Sequence, residues 1–189
     1  NFYIYFPYQS YLVKILQMKL LITGGAGYIG SHMCRMLLKL NHTPIVLDSL
    51  EVGNRKSLPE DIAFYHGNVS DANLLDKIFS EHKIDAIIHA AAMIGGVKLF
   101  HTKAARILET NLEIDKHVLE LTKFLHRNRN MERFIVFSSS MVFENDPNPP
   151  SSEDKAFSIP TPSSTYGLSK LITERRVLAQ HRDYGLPYT

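Results

Sequence analysis

Eight residues near the start of the chain restrict its fold more than any other segment. They are Thr23-Gly24-Gly25-Ala26-Gly27-Tyr28-Ile29-Gly30, directly after Lys19-Leu20-Leu21-Ile22. Gly25, Gly27 and Gly30 satisfy G-x-G-x-x-G, and Gly24, Gly27 and Gly30 satisfy the wider G-x-x-G-x-x-G form. Gly24 and Gly25 allow a tight turn after a strand. Gly27 leaves room for a pyrophosphate at a helix N-terminus, and Gly30 lets that helix lie close to a sheet. The unpaired N–H groups and dipole of such a helix start attract phosphate. A strand before the turn and a helix after it make a dinucleotide site the reading, rather than a plain glycine turn. Asp48 ends the next apolar run, 18 residues after Gly30, where a carboxylate accepts from the hydroxyls of an adenosine ribose. It would repel a 2′-phosphate, which favours NAD; Arg55 and Lys56 nearby leave NADP open.

Strand and helix patterns alternate along the 189 residues, which predicts an α/β fold of the Rossmann type: a doubly wound parallel sheet with helices on both faces. Expected strands are 20–23, 44–48, 62–66, 84–89 and 133–138. Expected helices are 28–40, with Ile29, Met33, Met36, Leu37 and Leu40 on one stripe, a short one around 74–79 starting near Ser70 or Asp71, 104–126, and 165–181. The proline-rich stretch 144–164 reads as a long loop beside the active site, and a further strand begins near Leu186–Thr189. Residues 18–189 form the expected domain.

Residues 1–17 are rich in Phe and Tyr and precede Met18, a natural beginning; they read as an extension outside the fold, with a membrane-surface anchor as the alternative. The formal charge of +2 and the absence of a basic run argue against nucleic acid as a partner. No apolar stretch is long enough to span a membrane. The single cysteine, Cys34, fits a reducing cytoplasm and reads as a packed side chain. The nine histidines show no metal spacing, so no metal site is expected, and His89 is read as structural.

Near the end of the chain, Tyr166-Gly167-Leu168-Ser169-Lys170 puts Tyr166 and Lys170 on one helix face, with Ser138-Ser139-Ser140 upstream. A free tyrosine, with a pKa of about 10, is a poor base at neutral pH. A neighbouring ammonium and an oxidised nicotinamide would both lower it, so that Tyr166 takes a proton as hydride leaves the same carbon. A serine at the end of the fifth strand would hold the substrate oxygen.

In this order these segments resemble the extended short-chain dehydrogenase/reductase superfamily, in its NAD-dependent nucleotide-sugar epimerase/dehydratase branch. The likeness also includes Leu47-Asp48-Ser49-Leu50, Gly67-Asn68-Val69-Ser70-Asp71, His89-Ala90-Ala91-Ala92, Asn111 and Ser138–Phe143. The resemblance implies that Gly24, Gly27, Tyr28, Ile29, Gly30 and Asp48 bind NAD, that Asn68 and Val69 line the adenine pocket, and that Ala90, Ala91 and Ala92 pass under the cofactor. Asn111 would support the network behind the active site and count among the cofactor-binding residues, with Tyr166 and Lys170. Counting back from Phe143 puts the catalytic serine at Ser139, with Ser140 second. Dehydratases of the branch carry Asp-Glu straight after that serine; Ser140-Met141 stands there, which argues for epimerisation or simple oxidoreduction. Asn68 replaces the branch's usual Asp. Branch members also continue into a smaller substrate domain, so the chain reads as C-terminally truncated. The partners implied are a nucleotide sugar and, in the full-length enzyme, a second copy of the chain. A net reductase or dehydrogenase and a non-catalytic NAD-binding fragment are the alternatives.

Overall fold

The computed structural model describes residues 3–4, 13–14, 17–94, 102–156 and 158–189. Within the N-terminal segment, β1 (Tyr3–Ile4) and β2 (Val13–Lys14) pair antiparallel as a separate two-stranded sheet. The other residues up to 16 lie outside the described residues, as does Phe157.

The main sheet has five parallel strands: β3 (Lys19–Thr23), β4 (Thr43–Asp48), β5 (Ala63–His66), β6 (Ala86–His89) and β7 (Arg133–Val136), in the order β5-β4-β3-β6-β7. Alternate side chains of each strand feed two cores. Leu20, Ile22, Val46 and Ile88 pack with Cys34 and Leu37 of α1 (Tyr28–Lys39). Leu21, Ile45, Ile87 and Phe134 pack on the other face with Ile78 of α2 (Ala72–Glu81), with Val118, Leu119 and Leu125 of α3 (Ala104–Arg129), and with Val177 of α4 (Thr165–Tyr184). Burial on both faces is why the inner strands β3, β4 and β6 read as continuous apolar runs. The doubly wound arrangement is as expected, with strand ends shifted by a residue or two.

Helix ends follow local chemistry. Asp71 caps α2 by accepting from the Leu74 N–H, Ser164 caps α4 by accepting from the Gly167 N–H, and Gly185 closes α4 with φ +69°. After α4 the chain returns to the outer edge of β7. Phe134 N–H donates to the Pro187 carbonyl and Thr189 N–H to the Phe134 carbonyl, so the strand expected near 186–189 is present as a parallel bridge.

Two details differ from expectation. The buried face of α1 is Gly30, Ser31, Cys34 and Leu37, whereas Ile29, Met36 and Leu40 are exposed. Small side chains let α1 sit low on the sheet, and the larger apolar ones fall on its outer flank. Gly30 also approaches the glycine turn rather than the sheet. A Cβ there would stand 2.4 Å from the Gly24 carbonyl oxygen and 2.6 Å from Gly25 Cα. Gly24 has φ +71°, and a Cβ on it would meet Ala91 Cα at 2.6 Å. The backbone contacts at Gly30 leave nothing flexible to move aside, so Gly30→Ala should cost about 1–3 kcal/mol through overpacking. Urea unfolding of the variant measures it.

Candidate active site and cofactor cleft

The strand order reverses beside β3, and a cleft of about 320 Å³ opens at the C-terminal ends of β3, β4 and β6. Gly24, Gly27, Tyr28, Ile29, Gly30, Asp48, Asn68, Val69, Ala90, Ala91 and Ala92 all line it. α1 starts at Gly27 without a side-chain cap, so its first-turn N–H groups lack the usual partner at the cleft wall. The sequence reading missed Val52, Met93, Ile94, Thr110 and Ile114, which also line it. Val52 could have been found as an apolar residue in the polar loop after β4; in the structure it is 77% exposed.

Asp48 reaches the cleft but also braces it. One carboxylate oxygen accepts from Ala26 N–H and the other from Leu50 N–H, each at 2.8 Å. The glycine turn and the 49–53 loop are thereby tied to one buried side chain. Each carboxylate oxygen keeps a second lone pair. Arg55 is turned elsewhere: it donates to the Pro59 and Glu60 carbonyls and lies over the Phe64 ring at 5.1 Å. Neither Arg55 nor Lys56 lines the cleft.

The three serines after β7 separate by direction. Ser138 donates to Glu174 on α4, away from the tyrosine. Ser139 caps the short turn Ser140–Phe143 by accepting from Met141 N–H at 3.2 Å, and its side chain hydrogen-bonds Tyr166. Ser140 is exposed in that turn. Glu144, just after it, accepts from Ser164 N–H and so fastens the turn to the start of α4.

Tyr166 and Lys170 are both buried on α4. The expected lowering of the Tyr166 phenol is not produced by the chain's own groups: burial pushes it up, and the Ser139 hydrogen bond only partly opposes this. The Lys170 ammonium lies 5.9 Å from the Tyr166 ring centre and donates to the Phe137 carbonyl at 3.0 Å.

Asn111 does not line the cleft. Its amide carbonyl accepts from Met93 N–H at 2.6 Å, and its amide N–H groups donate to the Met93 carbonyl and Ser169 Oγ. It therefore clamps the cleft-lining segment after β6 to the helix turn that carries Tyr166 and Lys170. His89, read as a structural strand-end residue, is buried and bonded on both ring nitrogens, Nδ1 to Thr23 Oγ1 at 2.7 Å and Nε2 to Asp115 at 3.1 Å. Asp115 was missed; the signal was a carboxylate four residues after Asn111 on the buried stripe of α3.

Burial lowers the His89 imidazole below its ordinary value of 6.5, Asp115 opposing. The unfolded chain then binds a proton that the folded one refuses. Stability should be fully present above pH 6.5 and fall as the pH drops through the lowered native value. Urea unfolding midpoints at about pH 5 and about pH 7 should differ less in His89→Gln than in the parent, a tenfold loss of proton affinity on folding being worth about 1.4 kcal/mol.

Residues 20–189 match the profile of the NAD dependent epimerase/dehydratase family. Among curated relatives, a UDP-glucose 4-epimerase of Halalkalibacterium halodurans is 39% identical over 174 residues, covering 90% of this chain and 48% of the relative. A dTDP-D-glucose 4,6-dehydratase of Dictyostelium discoideum is 34% identical over 187 residues, covering 89% and 42%. Among solved structures, the Thermotoga maritima UDP-glucose 4-epimerase with UDP-glucose superposes with a TM-score of 0.78 at 31% identity, covering 90% of this chain and 53% of that one. The Thermus thermophilus UDP-glucose 4-epimerase in complex with NAD gives 0.77 at 28%, with the same coverage. The chain thus spans about half the length of the relatives it matches. With its glycine turn, parallel sheet and cleft, the chain belongs to the NAD-dependent epimerase/dehydratase family.

Proposed function

We propose that this chain is the NAD-binding part of a nucleotide-sugar epimerase in which Tyr166, Ser139 and Lys170 handle the proton of a sugar hydroxyl. The observation that carries the reading is the pairing of the Ser139 hydroxyl, after β7, with Tyr166 on the α4 turn that Asn111 joins to the cleft wall.

The cleft fits a dinucleotide. Tyr28, Ile29 and Gly30 offer first-turn N–H groups without a side-chain cap, suited to a pyrophosphate. Asp48 retains acceptor capacity for the ribose hydroxyls, and Asn68 and Val69 bound the side suited to adenine. Ala90–Ala92 supply a wall of small side chains for the cofactor to cross. NAD, when bound, supplies reversible hydride exchange at its nicotinamide.

The chain's own residues do the rest. Tyr166 Oη takes the proton from the sugar hydroxyl as the carbon is oxidised, and gives it back when the ketone is reduced. Ser139 Oγ hydrogen-bonds both the phenol and the sugar oxygen and so holds that oxygen on the line of transfer. Lys170 brings positive charge to the helix face of Tyr166 and opposes the burial that favours the phenol. Epimerisation follows when the ketone turns its other face before reduction. Elimination of water would need an acid or base after Ser139, and Ser140-Met141 supplies no carboxylate; Glu144 is held by Ser164 N–H. This favours the epimerases among the relatives over the dehydratases. The substrate class is a nucleotide sugar, as with the UDP-glucose of the Thermotoga maritima neighbour.

Calorimetric titration of the chain should give tighter binding of NAD than of NADP, because Asp48 stands where the extra phosphate would lie. Tighter NADP binding would remove the Asp48 assignment. In the full-length protein, turnover of a nucleotide sugar without added NAD separates an epimerase from a net reductase. There Tyr166→Phe should lower turnover about a hundredfold to ten-thousandfold with NAD affinity retained. Ser139→Ala should lower it more than Ser140→Ala; the reverse ranking would transfer the serine role to Ser140.

A further inference from the structure

Two carboxylates are buried among the described residues, Asp48 and Asp115. Asp48 belongs to the cleft, whereas Asp115 takes no part in the proton handling above. A buried carboxylate is costly unless donors and a countercharge surround it. The donors are present. His89 Nε2 lies 3.1 Å from one Asp115 oxygen, and the Thr173 hydroxyl donates to the other. His89 Nδ1 meets Thr23 Oγ1 at 2.7 Å. These partners assign the tautomer: Nε2–H donates to Asp115, and Nδ1 accepts from the threonine. A neutral imidazole satisfies the carboxylate's hydrogen bonding and leaves its charge unmatched.

The buried cation nearby is Lys170, 6% exposed. Its ammonium donates to the Phe137 carbonyl, and the N–H of Phe137 donates to the His89 carbonyl. Asp115 on α3 thus bonds the His89 side chain, and Lys170 on α4 is linked to the His89 backbone through Phe137. Thr173 sits one helical turn beyond Ser169 and Lys170, so its bond to Asp115 also fixes the rotation of α4.

We infer that Asp115 is a positioning residue for the Tyr166/Lys170 pair: it is the buried counter-anion of the Lys170 ammonium, and through His89 and Thr173 it fastens α4 to the central strands. The inference rests on the proposed proton handling by Tyr166 and Lys170. Burial drives the Lys170 ammonium toward the neutral amine, and the Asp115 charge opposes it. With the anion removed, Lys170 gives up its proton more readily. A neutral amine does nothing to favour a Tyr166 phenolate. Three other charged groups on these helices have partners elsewhere: Glu174 bonds Ser138, Arg176 donates to the Leu112 carbonyl, and Glu113 lies 4.0 Å from His117.

The test uses Asp115→Asn, which keeps the side-chain shape and a donor or acceptor for each partner but removes the charge. Tyr166 ionisation is read in the full chain as the ultraviolet difference between each protein and its Tyr166→Phe counterpart. In Asp115→Asn the Tyr166 midpoint should rise by about one pH unit. NAD affinity should be unchanged. In the full-length protein the acidic limb of the turnover profile should move up by the same amount, lowering neutral-pH turnover about tenfold. A purely structural role would weaken stability and leave the Tyr166 midpoint in place. That result, in a folded variant that binds NAD, overturns the inference. Where Asp115→Asn does not fold, Asp115→Ser, which also removes the charge and keeps a hydroxyl for its partners, decides by the same reading: an unmoved Tyr166 midpoint overturns the inference. Undiminished turnover in Tyr166→Phe would instead refute the proton-handling reading, while the midpoint still decides whether Asp115 governs the charge around Tyr166.

Discussion

The parallel pairing of β3 with β6 is the constraint on which the cleft depends. From Leu20↔Ala86 to Thr23↔His89 the two strands run in register, and beyond them their chains leave toward opposite faces, β3 into α1 and β6 toward α3. The gap between the departing chains is where a ligand can reach backbone in an open α/β sheet. Its width is set by the Gly24 backbone lying against Ala90 and Ala91. Asp48, at the end of the neighbouring strand, then fixes how the turn leaves the sheet by bonding Ala26. A side chain at the turn would separate the strands' exits, and the pocket shape would change with them.

Immediately behind this apolar crossing lies a polar layer. Thr23, His89, Asp115, Thr173, Ser169 and Asn111 are all buried and linked by hydrogen bonds from β3 and β6 through α3 to α4. Polar groups in a core are tolerated when each has a partner, and they discriminate between packings more sharply than apolar contacts do. Sliding α4 by one residue along α3 would cost Asp115 its bond from the Thr173 hydroxyl and Asn111 its bond to the Ser169 hydroxyl in the interior. The layer thus specifies the helix register on which the placement of Tyr166 depends.

The fold was legible because the pattern behind it is local. Doubly buried strands are continuous apolar runs, and glycines, Asp71, Ser164 and Gly185 punctuate the helices at positions with a direct steric or hydrogen-bonding reason. The glycine turn and the residues of the cleft were legible for the same reason, since each sits at the end of a strand that the sequence marks. The face of α1 was not, because a hydrophobic stripe takes the largest apolar residues as the buried ones, whereas close packing on a sheet selects small ones such as Gly30 and Ser31. Asp115, Met93 and Thr110 were also hidden. Their roles arise from partners far along the chain, and a lone Asp inside an amphipathic helix looks like any solvated residue. The second function of Asp48 escaped because its partner Ala26 lies 22 residues earlier in the chain, unlike the local caps of Asp71 and Ser164. The site roles themselves still rest on the proposed chemistry.

Cys34 gives the first crossover a property of a different kind. It is fully buried under α1, and burial lifts its thiol to about 12. Thiolate is the nucleophilic form, so the folded chain is inert to alkylating reagents and oxidants at this position. Since it is the only cysteine in the sequence, any labelling at neutral pH counts the moments at which α1 lifts from the sheet. The residue is in effect a built-in clock for local opening of the nucleotide-binding unit, readable without altering a single side chain.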